Sequence, residues 1–510
     1  MTTLLAQIVP VETVHDDATA HLSDKGNADR FVELYRDRLL HCFPLKSWFV
    51  YDGRVWRPDT TGAVMRLAKA TVATIYGEAT TAPDEQQRKA IAGWALRSES
   101  EKRLTAMASL ARSELPVSPD ELDAHPWLLN VLNGTIDLHD GTLRDHRAAD
   151  RLTKLAPVVY DPAAQSDLWD RVIEHAIPDP HVRRFAQKLA GYTCCGETGE
   201  DVCVFVHGPT RTAKGTFQEA FAETLGDYAI TAELDLLAER DRPGCGPRPE
   251  LVRLRAARMV SIYETSGRLK LSASLVKSLA GSDPITARDL HAKPITFRPQ
   301  AALWLATNYR PRAPSDDDAL WERIRELPFN VFIPEDQRDP MVRKALRNPA
   351  EHGAAILAWA VKGCLLWQAE GLDQPDAVRA ATLDYRAEMD PLAGFLSAAC
   401  VLHSGAWTPS DQLRAEYKRW ARESGEQVIS GALFCDRLAG HGCEPKRRHG
   451  RRGWQGIALV TSTEDETAVE RDAVTVSDGD PHKFPLSLSH EKRTTDHRHE
   501  ASRRHGTWGW

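Results

Sequence analysis

Between an apolar run, Val202 to Val206, and a stretch that reads as a helix over 216–225, the chain places Gly208, Pro209, Thr210, Arg211, Thr212, Ala213, Lys214, Gly215, Thr216 and Phe217. A glycine-opened turn between a strand and a helix aims backbone N–H groups and a helix N-terminus at one point. A lysine there reaches the outer phosphates of a bound anion. These ten residues form the candidate nucleotide-contacting set. The pattern G-x-x-x-x-G-K-[ST] is met incompletely. Ala213 stands where the second glycine belongs, Gly215 where the hydroxyl belongs, and Thr216 comes one residue late. Taken alone, the segment reads equally well as an ordinary strand, turn and helix.

Three further positions give it context. Arg258 to Glu264 is a second β-like run that ends in an acid. A carboxylate at a strand end beside a phosphate loop can hold Mg²⁺ or polarise an attacking water. Glu264, with Thr216, is therefore the candidate metal ligand. Ala301 to Asn308 is a third run that ends in an amide able to orient that water. After an acidic loop come Arg323 and Arg325; an arginine delivered to a neighbouring subunit's γ-phosphate stabilises developing charge. Each has a bland reading: a strand ending in Glu by chance, a turn-forming Asn, a surface arginine. Lys214, Glu264, Asn308 and Arg323 nonetheless occur in order, at three successive strand ends and a following loop.

The elements that must position them follow from periodicity. Helical patterning dominates from Asn27 to about Ala111, interrupted by an aromatic β element at 48–59 with an Asp52-Gly53 hairpin signal. Residues 126–160 alternate and turn at Asn133-Gly134 and Asp140-Gly141, a β-rich connector. Helix returns over 165–195, strands and helices alternate over 200–335, and 339–400 is helical, with Trp359 and Trp367 on an apolar face. Alternation of that kind implies an α/β sheet.

Bulk properties exclude some classes. At 510 residues the chain holds more than one domain. It has 42% hydrophobic and 27% charged residues and no apolar run long enough to span a membrane. The N-terminus lacks the basic region of a secretory signal. Nine cysteines without a C-x-x-C pair argue for a reduced, cytoplasmic protein and against a zinc site. A net charge of −7 means that any nucleic-acid contact must come from local patches or a pore.

The segment from Leu275 to Asp339, LVKSLAGSDPITARDLHAKPITFRPQAALWLATNYRPRAPSDDDALWERIRELPFNVFIPEDQRD, resembles the helicase block of the phage/plasmid primase-helicase family, superfamily 3 helicases related to the poxvirus nucleoside triphosphatase. The resemblance extends upstream through GNADRFVELYRDRL, WALRSES and DAHPWLLNVLNGTIDLHDGTLRDH. It extends downstream through AWAVKGCLLWQAEGL and covers about residues 25–460. It implies an ATP- and Mg²⁺-dependent ring, six subunits by expectation, with an AAA+-like core that translocates on single-stranded DNA. By that resemblance Lys214 and Thr216 belong to the Walker A loop, Glu264 is the Walker B acid, Asn308 is sensor 1, and Arg323, with Arg325 second, is the arginine finger. A pore hairpin falls near Ile285 to Phe297, with Arg288, His291 and Lys293 as phosphate-contacting cations. Lys277 and Asp283 also match the family pattern. Without the family, that stretch reads as a plain basic hairpin. The loop ending Ala213-Lys214-Gly215-Thr216 departs from the family's usual Gly-Lys-Ser-Thr. No paired acids or zinc-binding cysteines suggest a primase domain, so primer synthesis is not expected.

The implied organisation is a lead-in (1–24), a mainly helical helicase-associated domain (25–160), an α/β AAA+-like core (161–338) and a helical lid or connector (339–389). A winged-helix DNA-binding domain (390–460) and a disordered tail (461–510) follow. Five cations in seven residues, Lys446, Arg447, Arg448, Arg451 and Arg452, form the candidate wing. A solvated basic loop is the plainer alternative. Expected partners are single- and double-stranded DNA, further copies of the chain and a separate primase or polymerase, with no membrane, in the cytoplasm of a bacterial host. Two rival readings stay open. One is a DNA-binding origin-recognition or assembly protein whose nucleotide only stabilises the ring. The other is a defence or regulatory NTPase.

Overall fold

The computed structural model describes residues 21–239, 247–263, 270–288, 290 and 294–460. Glu264, His291, Lys293, the first 20 residues and the tail from 461 lie outside the described residues. Among the described residues two compact units emerge, one comprising those up to Arg312 plus Asp317–Thr382, the other Ala313–Asp316 plus those from Leu383 to Val460.

At the centre of the first unit is a five-stranded sheet: β1 (Cys203–His207), β2 (Ala229–Ala232), β3 (Met259–Tyr263), β4 (Ala302–Thr307) and β5 (Ile324–Pro328). Its order is β5-β1-β4-β3-β2, and all pairings are parallel. Every residue of β4, and all but the last of β1 and β3, is buried. Unbroken apolar burial, rather than alternation, is what a parallel sheet covered on both faces requires. The strand order reverses at β1, and such a switch point opens a crevice beyond the carboxyl ends. The register sets those ends level: His207 of β1 lies beside Thr307 of β4 and beside Pro328 of β5.

Helices α1 (Asp167–Ala176), α2 (Pro180–Cys194), α3 (Lys214–Leu225) and α4 (Pro349–Glu370) accompany the sheet. Their starts are written locally. Ser166, Asp179 and Asn348 accept hydrogen bonds from first-turn N–H groups, and Pro180 and Pro349 occupy the position where a missing N–H costs nothing. Trp169, Phe217, Trp304, Phe329 and Trp359 join α1, α3, β4 and α4 in one aromatic cluster, with the Phe217 ring 5.6 Å from both Trp169 and Phe329. Phe217, expected among the nucleotide-contacting residues, is instead 1% exposed in this cluster, and its N–H donates to the Ala213 carbonyl. It backs the loop from below and has no polar group left to offer a ligand.

Ahead of the core, helices Asp24–Tyr35, Ala63–Thr80, Glu85–Ser98 and Glu101–Ala111 accompany two three-stranded antiparallel sheets. The expected hairpin at Asp52-Gly53 joins Ser47–Tyr51 to Trp56–Pro58, with Tyr51 facing Trp56. A third strand, Leu39–Cys42, completes that sheet and was not foreseen, because all four of its residues are buried and show no alternation. The second sheet, Leu128–Val131, Gly134–Asp137 and Thr142–Arg144, turns at the two sites read from sequence. It is tied to the core by Arg258, 1% exposed, which donates to the carbonyls of Pro126 (2.6 Å) and His125 (3.3 Å).

The second unit runs helix Ala393–Ala399, strand Cys400–Pro409, helices Ser410–Glu423 and Gly431–Gly440, then the hairpin Glu444–Arg448 and Arg451–Leu459. Strand 451–459 is central, flanked by 400–409 and 444–448, all antiparallel. Phe395, Leu413, Tyr417, Phe434, Leu438 and Ile457 fill its core.

Candidate functional site

The loop that follows β1 has a backbone suited to an anion. Gly208 takes φ +156°, and a Cβ there would lie 2.0 Å from the Phe329 carbonyl oxygen, so no side chain fits. Arg211 (φ +67°) and Ala213 (φ +63°) are left-handed, a conformation that costs an L-residue about 1–2 kcal/mol. Ala213 thus holds the backbone form that the missing second glycine would adopt freely. Because Ala213 is this left-handed cap, α3 begins at Lys214, two residues before the sequence-expected start.

Lys214 is 7% exposed. Its ammonium donates to the carbonyls of Gly208 (2.7 Å) and Pro209 (2.5 Å) and approaches Thr212 Oγ1 at 3.3 Å. Burial pushes its pKa down to about 8. Its bonds go to neutral oxygens within the loop, so a polyphosphate would supply the compensating charge. Thr212 Oγ1 also donates to the Pro209 carbonyl at 3.0 Å, which braces the turn. Gly215 brings no hydroxyl to the first turn; the direction of its absent side chain opens toward Glu219 Oε1 (3.8 Å) and the Arg343 guanidinium (4.0 Å). Glu219 is paired to that Arg343 (2.8 Å through Nε). Thr216, half-exposed in the first turn of α3, brings a hydroxyl beside the loop. The donor set fits a nucleotide's phosphates, and for a metal the described residues of this stretch offer the Thr216 hydroxyl; Glu264 lies outside the described residues.

Asn308 directly follows β4 and is exposed at the strand end beside His207, next to the loop. Beneath the site Gln218, fully buried on α3, donates through Nε2 to Ser261 Oγ (2.8 Å), the Trp304 carbonyl (3.1 Å) and the Ile262 carbonyl (3.3 Å). It stitches the helix to β3 and β4. Sequence reasoning did not find it, although a glutamine one turn past Lys214 in an apolar helix is a usable signal.

Arg323 and Arg325 stand elsewhere. Arg323 immediately precedes β5 and Arg325 is its second residue, whereas the loop follows the opposite end of the neighbouring parallel β1. Five residues of strand separate Arg323 from the level of His207, roughly 17 Å at strand rise. Arg323 cannot reach the loop of its own chain. It pairs with Asp201 at 2.7 Å, while Arg325, half-buried with its pKa lowered by desolvation, donates to the Glu322 carbonyl at 2.5 Å.

Of the expected hairpin cations, Arg288 is exposed just past the strand Ile285–Ala287, which pairs antiparallel with Ile295–Phe297. Lys277 lies on the helix Ala273–Ala280 and is paired with Asp317 at 2.8 Å, whose carboxyl it holds below the usual range. In the second unit Lys446, Arg447, Arg448, Arg451 and Arg452 crown one hairpin, turned by His449 (φ +49°) and Gly450 (φ +77°). Arg447 faces Arg452 and Arg448 faces Arg451 across the strands. Like charges placed directly opposite are destabilising; Asp411 (3.0 Å to Arg451) and Gln455 (2.6 Å to Arg448) offset only part of this. Among the described residues no group of three His, Cys, Asp or Glu is placed to hold a metal. No helix there is long and apolar enough to cross a membrane.

Residues 28–178 match the family model described as D5 N terminal like. The chain is 26% identical over 294 residues to a putative helicase of Acanthamoeba polyphaga mimivirus, covering 54% of this chain and 30% of that one. It is 27% identical over 335 residues to a putative helicase of Invertebrate iridescent virus 3, covering 59% and 35%. A putative primase of African swine fever virus is 24% identical over 217 residues, covering 41% and 23%. The chain thus aligns with about a third or less of the length of these viral relatives. Among solved structures, the apo structure of the NrS-1 C terminal region aligns with a TM-score of 0.47 at 9% identity, over 85% of this chain and 99% of that one. The D5 N terminal like region and these relatives support the resemblance to the primase-helicase family.

Proposed function

We propose that the chain is an ATP-dependent DNA helicase that translocates on single-stranded DNA as a ring, of six subunits by family analogy, in the replication of a phage, plasmid or integrated element. The observation that carries this reading is the opposition across the sheet. The Lys214 loop and Asn308 share the carboxyl ends of β1 and β4, while Arg323 lies at the amino end of β5. A site so divided is completed by a second copy, whose Arg323 would meet the first copy's γ-phosphate. Lys214 would neutralise β- and γ-phosphate charge, Asn308 would hold the attacking water, and Glu264 would polarise it. Magnesium, held through Thr216 and Glu264, would supply further charge neutralisation. The hairpin bearing Arg288, with His291 and Lys293 beside it in sequence, would contact the strand in the pore.

We read the second unit as a winged helix that binds double-stranded DNA. Its order of helix, strand, two helices and hairpin, with strand 451–459 between the other two, supports this. The wing would be the hairpin that carries the five cations.

The test is steady-state ATP hydrolysis with and without single-stranded DNA, comparing wild type with Lys214→Ala and Arg323→Ala. DNA-stimulated turnover that both substitutions abolish is the expected result. A second reading, an origin-binding protein whose nucleotide only stabilises its assembly, is favoured by Gly215, which removes the usual metal-binding hydroxyl. Nucleotide and DNA binding without turnover in the wild type would select it.

A further inference from the structure

Glu326 is a carboxylate where a buried strand calls for an apolar residue. It is 1% exposed in the middle of β5, and three other elements converge on it. His207, the last residue of β1, approaches its Oε1 through Nδ1 at 3.1 Å. Arg310, two residues beyond Asn308, grips both oxygens, through Nε at 3.0 Å and Nη2 at 2.6 Å. The Glu326 N–H donates to Thr382 Oγ1 at 3.1 Å, and Arg310 also reaches the Ala381 carbonyl at 3.4 Å.

A buried ion pair is a poor device for stability alone, because desolvating both charges offsets much of their attraction. Its geometry is informative instead. A planar guanidinium bound at two points admits one orientation. Arg310 is two residues from Asn308, and His207 is joined directly to Gly208. Next to them, the Phe329 N–H donates to the His207 carbonyl at 2.8 Å, and the Phe329 carbonyl packs against Gly208. One carboxylate thus ties the entrance of the phosphate loop to the loop that carries Asn308.

We infer that Glu326, held between His207 and Arg310, is a positioning residue that sets Asn308 against the phosphate loop. The inference rests on the hydrolysis reading above. It makes Arg310 and Glu326 act on the chemical step through Asn308, with little part in holding the nucleotide.

The test measures kcat, KM for ATP, affinity for a fluorescent ATP analogue and melting temperature in Arg310→Lys, Arg310→Ala, Glu326→Gln and the Arg310→Ala/Glu326→Gln pair. Arg310→Lys keeps the charge and is the variant most certain to fold. It should still fail to restore the rate, since lysine cannot make the two-point contact. The expected result is a loss of about tenfold or more in kcat, with KM and analogue affinity within about threefold of wild type. The double variant should be no worse than its more severe parent, as for residues that act as one unit. Three results would overturn the inference. Turnover could stay near wild type in Arg310→Lys and Glu326→Gln while the wild type hydrolyses ATP. Alternatively, kcat, analogue affinity and melting temperature could fall together in every variant, which marks a purely structural role. Absence of hydrolysis in the wild type would remove the hydrolysis reading and the inference with it.

Discussion

The Lys214 loop and the Arg447–Arg452 hairpin both gather positive charge, by opposite physical means. In the loop a single ammonium is buried, bonded to neutral oxygens, and pushed down to about 8. Its cradle is a strained turn closed by Gly208 and Ala213. In the hairpin five cations stand largely exposed on two strands, two pairs of arginines face each other, and the turn is an ordinary left-handed pair. A buried, conditional charge suits one small anion of fixed shape. Exposed and mutually repelling charges suit an extended polyanion whose own charge relieves the repulsion. The two regions should therefore respond differently to mutation, pH and salt.

The sharpest separation comes from Lys214→Ala. It should lower ATP turnover by about a hundredfold or more, the scale of removing one preorganised charge from a phosphoryl-transfer site. Duplex DNA binding by the hairpin should be unchanged, as measured by filter binding beside the hydrolysis assay. Next comes Gly208→Ala, whose added carbon meets the Phe329 carbonyl oxygen. Overpacking of that kind costs about 1–3 kcal/mol and should lower the melting temperature. The corresponding change in the hairpin turn, Gly450→Ala, meets nothing nearby and is strained only by its φ of +77°.

A pH series separates the regions without mutation. Lys214 is charged below about 8, and a bound polyphosphate would raise that value again. Nucleotide binding thus takes up a proton above pH 8, and affinity should fall as pH rises, by about tenfold between pH 7 and 9. Arginine does not titrate in this range, so DNA affinity at the hairpin should hold nearly constant over the same titration. The smallest effect is Arg452→Ala. It should reduce the salt slope of DNA binding by about one and weaken affinity modestly. Removal of the charge opposite Arg447 should raise hairpin stability by a few tenths of a kcal/mol in the absence of DNA.

Much of this layout could be read along the chain because it is local. The loop of 208–217, the three apolar runs and the turns at Asp52-Gly53, Asn133-Gly134 and Asp140-Gly141 all carry their own signals. Three features were hidden for physical reasons. Cys400–Pro409 lies where a helical stretch was expected to end, and five successive residues in it, Val401 to Gly405, are exposed, so it lacks the pattern of a half-buried strand. Ala229–Ala232 is four residues with no bulky aliphatic except Ile230, and only its pairing with β3 makes it a strand. The Glu326 cluster joins residues 16 and 119 positions apart, which no periodicity reports. A glutamate inside the run from Ile324 to Phe329 was its one visible sign. Phe217 shows the reverse case: it adjoins the motif in sequence, while its helical position turns its ring to the core.

The central claim is that one catalytic site is built from two copies of the chain, and mixing tests it most directly. Lys214→Ala and Arg323→Ala proteins, each inactive alone, are combined in equal amounts, allowed to exchange subunits, and assayed for DNA-stimulated ATP hydrolysis. In a head-to-tail ring about a quarter of interfaces would join an intact Lys214 loop to an intact Arg323, so activity should reappear at up to that fraction of wild type. If subunits exchange and the mixture stays as inactive as its components, the shared site is contradicted.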